Sequence, residues 1–125
     1  MKADLHNHSY YSDGLLSPSE VVRLASKASC DLFSLTDHDT TDGIAEAKLE
    51  ADKVDLNLVN GVEISAFWQN MAIHIVGLGI DVDNDMLQTG LEHNKDLRKI
   101  RAEKIALSLR RSGIRDALEK AQIIS

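Results

Sequence analysis

The stretch Ala3-Asp4-Leu5-His6-Asn7-His8, followed shortly by Asp13, decides how this chain is read. In an extended strand residues i and i+2 share a face, so His6 and His8 present two imidazoles in one direction. Asp13 lies on the next loop, where it can swing in toward both histidines. Asp13-Gly14 is also a common turn pair, so a simple turn role for Asp13 stands beside the ligand role. A second group, Thr36-Asp37-His38-Asp39, closes the apolar run that begins at Leu32. A third comprises Glu63, after Leu58-Val59-Asn60-Gly61-Val62, and His74, within Ile73-His74-Ile75-Val76. Four of the five histidines therefore keep company with carboxylates at the ends of apolar segments. These donor types point to a divalent metal site holding more than one ion.

Each donor has its own argument. Asp4 shares parity with His6 and His8 and is expected to orient a histidine through its ring N–H rather than touch metal. His38 is read as a ligand, with Asp37 or Asp39 as the acceptor behind it. Glu63 ends an interior strand, and an unpaired buried carboxylate is costly, so a bridge between two cations answers its need. His74 alone would more often be a core histidine. It becomes a ligand candidate through the other groups. His93, mid-helix between Glu92 and Asn94, reads as surface.

Around these groups the chain alternates strand and helix. Ala3 to His6 is a strand and Asn7 to Leu16 a loop. Ser17-Pro18-Ser19-Glu20 opens a helix, with Ser17 as cap, Pro18 in the first turn and Glu20 closing a capping box. Val21, Val22, Leu24, Ala25 and Ala28 form its apolar stripe. Leu32 to Thr36 reads as a buried parallel strand. Thr41 or Asp42 caps a helix over 43–53 with Ile44, Ala47, Leu49 and Ala51 inward. Leu56 to Ile64 is a third strand. Phe67-Trp68-Gln69-Asn70-Met71 is a hairpin tip leading into Ala72 to Leu78. A long helix starts at Asp83 or Asn84 and runs to about Ser112, with Gly113 as its stop. A last helix begins near Arg115. The βαβαβ order predicts an α/β fold with a mainly parallel sheet, and the candidate ligands fall at strand C-terminal ends, the active face of barrels built from βα units.

Bulk properties narrow the function classes. The chain has 125 residues, 43% of them hydrophobic and 27% charged, which describes a globular domain. A net charge of −6 and a pI near 5.2 argue against a broad nucleic-acid footprint. Metal-bound carboxylates are neutralised, however, so an anionic substrate can still be drawn to the site. The single cysteine, Cys30, forms no intrachain disulfide and reads as a small buried hydrophobe. The polar N-terminal residues do not resemble a signal peptide, and no apolar run approaches the roughly 20 residues of a membrane span, so the expected location is cytoplasmic. There is no G-x-S-x-G, Walker or G-x-G-x-x-G motif.

Asp4-Leu5-His6-Asn7-His8-Ser9 with Ser12-Asp13-Gly14, Thr36-Asp37-His38-Asp39-Thr40, Gly61-Val62-Glu63-Ile64-Ser65 and His74-Ile75-Val76-Gly77-Leu78 together resemble the motifs of the PHP (polymerase and histidinol phosphatase) domain. Arg98-Lys99-Ile100-Arg101-Ala102 and Ala117-Leu118-Glu119 further resemble the branch of 3′,5′-nucleoside bisphosphate phosphatases and the 5′→3′ exoribonuclease RNase AM. The resemblance implies a distorted (β/α)7 barrel with up to three divalent ions, usually manganese, iron or zinc. It implies that His6, His8, Asp13, His38, Glu63 and His74 are the ligands, with Glu63 bridging. It also places Arg98, Lys99 and Arg101 toward the substrate phosphate, although without it these residues and Lys104 read as a solvated helix face. The family's later blocks, a His-Pro strand end and a Gly-Ser-Asp-Phe-His strand end, are absent. Residues 1–125 are therefore expected to be the N-terminal portion of a PHP domain: a truncated product, an isolated piece or one part of a split enzyme.

The function expected from this is metal-dependent phosphoester hydrolysis, with metal-activated water as the nucleophile and no protein nucleophile. The substrate would be a phosphorylated nucleotide or a short RNA 5′ end. A competing expectation is a catalytically incomplete metal-binding fragment that self-associates through an exposed strand edge. A proofreading-type nuclease module is a third, and no polymerase sequence accompanies it.

Overall fold

The structure is a computed structural model and describes residues 1–124. Three short strands, β1 (Ala3–Asp4), β2 (Leu32–Phe33) and β3 (Asn57–Leu58), form a parallel sheet in the order β1-β2-β3. Ala3 pairs with Leu32 and Leu32 with Asn57. The extended backbone runs beyond these ladders, since Ser34 N–H donates to Asp4 O and Thr36 N–H to Asn7 O. Side chains then alternate along 33–38. Phe33 and Leu35 face the helices, while Ser34, Thr36 and His38 take the opposite parity.

Helices α1 (Pro18–Lys27) and α2 (Ile44–Lys53) are the crossovers and pack on each other. The expected capping box is present at α1, with Ser17 Oγ accepting from Glu20 N–H and Glu20 accepting from Ser17 N–H. Val22, Ala25, Phe33, Leu35, Ala47, Ala51 and Leu56 make the core, with Cys30 packed partly buried against it. Three stripe residues depart from expectation, one of them Ala28, which is exposed at the C-cap of α1. Leu24 and Leu49 are exposed, because each lies well off the arc defined by Val22–Ala25 and Ile44–Ala47–Ala51 on its helix. The position facing α1 near the end of α2 is instead Glu50, whose carboxylate accepts from Arg23 Nε at 2.7 Å and pairs with Lys53. Neither Thr41 nor Asp42 caps α2; the N-cap is Gly43, without a side-chain bond. Thr41 Oγ1 instead accepts from Gln88.

The expected third strand is divided. After β3 the chain breaks at Val59–Asn60 and resumes as β4 (Gly61–Trp68), antiparallel to β5 (Met71–Leu78). Close approach requires glycine at 61, where a Cβ would lie 2.3 Å from Ser34 Oγ. The hairpin turns on Gln69 and Asn70, both at positive φ, which matches the twist of the strands. One parallel bridge, His38 to Glu63, joins the start of β4 to the end of the first sheet through Asp39 N–H to Glu63 O and Glu63 N–H to Asp37 O.

Helix α3 (Asp85–Arg111) is capped by Asn84, whose side chain accepts from Leu87 N–H. It ends in a Schellman motif, with Gly113 at φ 92 and Ile114 N–H donating to Leu109 O. Helix α4 (Ala117–Ile124) follows. No helix of the described residues is long and apolar enough to cross a membrane.

Candidate metal centre

The loop after β1 is folded back onto the end of β2. Asp37, buried at that end, accepts from Ser9 N–H (2.7 Å), Ser9 Oγ (2.6 Å) and Ser12 Oγ (2.6 Å). Gly14 lies against the backbone of His8 and Ser9, where a Cβ would meet His8 O at 2.5 Å. These contacts bring His8 and Asp13 to His38. Their carboxylate–imidazole distances are 3.4 Å from Asp13 Oδ1 to His8 Nδ1 and 3.2 Å from Asp13 Oδ2 to His38 Nε2.

Glu63 sits at the centre, its side chain 6% exposed. Its Oε2 faces His6 Nε2 at 2.7 Å, His8 Nε2 at 3.1 Å and His38 Nδ1 at 3.6 Å. Its Oε1 faces His74 Nδ1 at 3.1 Å. His74 thus turns to Glu63 rather than into the apolar core. The imidazoles form a continuous row, with ring centroids 5.1 Å apart for His6–His8, 4.6 Å for His8–His38 and 4.8 Å for His38–His74. Three donor groups result: His6–His8–Glu63, His8–Asp13–His38 and His38–Glu63–His74, each with its ligand atoms within 4.8 Å of one another. All six residues singled out from the sequence come together, and His93 is on the exposed surface of α3.

The electrostatics suit cation binding. Burial lowers the basicity of His8, Asp13 raises it and His38 lowers it again, with a net downward shift that favours the neutral, lone-pair-bearing ring. Burial pushes the Glu63 carboxyl up, but the hydrogen bond from His6 and the nearby His38, His6 and His8 outweigh it and hold Glu63 below the usual range. His38 Nδ1 is buried and makes no hydrogen bond, an orphaned lone-pair site of the kind a metal ion satisfies. The donor set therefore fits divalent cations, through mixed imidazole and carboxylate ligands.

Beside this cluster is a cavity of about 480 Å³, lined by Asp13, His38 and His74 on one side and by Asn94, Arg98 and Arg101 of α3 on the other. Phe67, Leu97 and Ile105 give it an apolar wall. Lys99 does not line it, since its helical phase departs from the 94–98–101–105 face.

The three expected supporting carboxylates act elsewhere than on histidine rings. Asp4 accepts from the Asn7 side-chain amide at 3.0 Å. Asp37 anchors the loop hydroxyls, and Asp39 accepts from Ser65, Asn94 and Arg98. The sequence reading gave no role to Ser9, Ser12, Ser65 or Asn94, although it quoted the three serines within its motifs. Two signals were available: Ser65 lies two residues beyond Glu63 on one strand face, and Asn94 lies one turn before Arg98.

Comparison with known proteins agrees with this geometry. The PHP domain family model matches residues 4–117. A 5′-3′ exoribonuclease of Haemophilus influenzae is 42% identical over 124 residues, covering 99% of this chain and 45% of that protein. A 3′,5′-nucleoside bisphosphate phosphatase of Chromobacterium violaceum is 42% identical over 118 residues, covering 94% of this chain and 41% of that protein. The solved structure of a Chromobacterium violaceum amidohydrolase, with sulfate bound and no metal, superposes with a TM-score of 0.92 at 41% identity, covering 98% of this chain and 43% of that one. The chain spans less than half the length of the curated relatives it matches. With its motifs, strand order and ligand cluster all in register, the chain belongs to the PHP domain family.

Proposed function

We propose that this chain carries the N-terminal part of a metal-dependent phosphoesterase acting on phosphorylated nucleotides or RNA 5′ ends. One observation carries the reading: four imidazoles converge on Glu63, with Asp13 against two of them, beside a cavity whose far wall holds Arg98 and Arg101. His6, His8 and Glu63 would hold one cation, and His38 and His74 would share Glu63 with another. Manganese is our choice from the family resemblance, with iron or zinc as alternatives, since carboxylate ligands suit manganese and imidazoles suit iron and zinc. A bound divalent cation supplies Lewis acidity and lowers the pKa of water.

The chain's own residues do the rest. Glu63 stays ionised and neutralises cation charge. Arg98 and Arg101 bind phosphoryl oxygens through charge-assisted hydrogen bonds. Phe67, Leu97 and Ile105 offer a surface to the apolar part of a nucleoside. The structure of the Chromobacterium protein holds bound sulfate, a tetrahedral oxyanion, which is in keeping with this reading. We place the protein in the cytoplasm, where the lone thiol of Cys30 stays reduced.

The test is release of phosphate from a 3′,5′-nucleoside bisphosphate, and of mononucleotide from a 5′-phosphorylated RNA, with added Mn²⁺. Hydrolysis that EDTA abolishes is expected. A second reading rests on the exposed strand β5 and the apolar residues around it: the chain is an incomplete metal-binding part that associates through that edge. Full metal loading with no cleavage of either substrate would favour it.

A further inference from the structure

We propose that Asp39 is a positioning residue for Arg98, which it holds at the phosphate side of the cavity; this rests on the reading of that cavity as a phosphoester site. Asp39 is 0% exposed and takes the left-handed backbone conformation, φ 54, a strain that Asp and Asn tolerate better than most residues. Its carboxylate is fully engaged. Oδ1 accepts from Ser65 N–H and Asn94 Nδ2, both at 2.9 Å. Oδ2 accepts from Ser65 Oγ at 2.6 Å and Arg98 Nε at 2.8 Å. Ser65 Oγ in turn accepts from Arg98 Nη2 at 3.0 Å.

A guanidinium has five N–H donors in a fixed fork. Two of them are bound by Asp39 and Ser65, which sets the plane of the group. The other three have no partner among the described residues, and Arg98 lines the cavity. A fork held from behind with its remaining donors free is arranged for a planar or tetrahedral oxyanion.

The position follows from β4. Glu63 and Ser65 are two residues apart, on one strand face and roughly 7 Å apart along the strand. The first meets the histidines and the second anchors the arginine. Asp39, directly after His38, closes the same link from the neighbouring segment through its backbone N–H to Glu63 O at 2.9 Å. The metal ligands and the arginine are thus anchored two residues apart on one strand face and line the same cavity.

The experiment titrates methylphosphonate, a non-hydrolysable phosphate-ester mimic, into the Mn²⁺-treated chain, with manganese content measured alongside. Asp39→Asn keeps the backbone preference and the side-chain shape but removes the charge. We expect it to weaken methylphosphonate binding about tenfold or more with manganese content unchanged. In an Arg98→Ala background the same change should cost less than about twofold, because Asp39 acts through Arg98. Wild-type affinity in Asp39→Asn, an equal loss in both backgrounds, or loss of manganese would each overturn the inference. Should Asp39→Asn fail to fold, Ser65→Ala reads the same coupling. A wild-type chain that takes up no manganese defeats the metal reading alone, since titration of the metal-free chain still reads the Asp39–Arg98 coupling. Manganese uptake without methylphosphonate binding defeats this inference and leaves the metal reading standing.

Discussion

The two halves of the molecule satisfy their apolar residues in opposite ways. In the first, α1 and α2 close over β2, and Val22 and Phe33 are both 0% exposed. In the second, the β4–β5 hairpin and α3 leave Phe67 72% and Ile75 51% exposed, together with Trp68, Leu78, Leu97 and Ile105. Among the described residues, only Val62 and Leu91 of that half are buried apolar residues. The first half has a core of its own; the second is tied to it by hydrogen bonds at Asp37, Asp39 and Thr41. The candidate site lies on that seam. His6, His8, Asp13 and His38 come from the closed half, and Glu63, His74, Arg98 and Arg101 from the open one. A cation bound there would tie the halves together, so metal binding and the order of the hairpin should be linked.

The sharpest way to break this contrast is to compare truncations in the two halves. Phe33→Ala should cost about 3–5 kcal/mol of stability, because it empties the centre of the closed core. Ile75→Ala, on the exposed strand, should stay within about 0.5 kcal/mol. Urea unfolding measures both, and equal losses would mean that the open half is as tightly packed as the closed one.

Next in size is the seam itself. Glu63→Gln should strip most of the bound metal after dialysis, whereas His93→Ala, on the outer surface of α3, should leave it unchanged. Elemental analysis reads the difference. Equal retention by the two variants would remove Glu63 from its central role.

A smaller effect concerns the unpaired edge. Among the described residues β5 pairs only with β4, so its outer N–H and C=O groups form a template for another strand. The chain should associate as its concentration rises, and Ile75→Lys should shift it toward monomer in sedimentation velocity. A wild-type chain that stays monomeric at high concentration argues against a sticky edge.

The smallest effect lies wholly within the closed half. Hydrogen bonds from Arg23 and Lys53 outweigh burial and hold the Glu50 carboxyl below its ordinary value. A carboxyl depressed in the folded state stabilises the fold above its unfolded pKa, and that contribution disappears as pH falls through the folded value. Glu50→Gln should therefore be less stable than wild type at neutral pH, and the gap should close in acid. A gap constant from pH 7 to pH 3 would show that the pairing with Arg23 contributes through packing instead of charge.

Much of the site was legible from local pattern. The i, i+2 spacing of His6 and His8, and the placement of His38 and Glu63 at the ends of apolar runs, located the donors before any fold was known. The capping box at Ser17, the Gln69-Asn70 turn and the Gly113 stop were also readable, because each depends on residues a few positions apart. Periodicity served less well. Leu24 and Leu49 are apolar but out of phase with their buried neighbours, and the break at Val59–Asn60 has no marker beyond the Asn-Gly pair that follows it.

The ligand types, the strand–helix order and the membership of the donors are properties of the chain as written, since they follow from residue chemistry and from short-range spacing. Which carboxylate serves which partner is not. Asp4, Asp37 and Asp39 looked alike as supports for histidines, yet they bind an amide, a pair of hydroxyls and an arginine network. Lys99 and Arg101 looked alike as phosphate contacts, yet only Arg101 lines the cavity. Those choices arise when segments some 25 to 60 residues apart are brought together, as in Ser9 with Asp37 and Asp39 with Arg98. A buried carboxylate takes whichever donors the packing of strands and helices brings within about 3 Å, and local sequence carries no record of those neighbours.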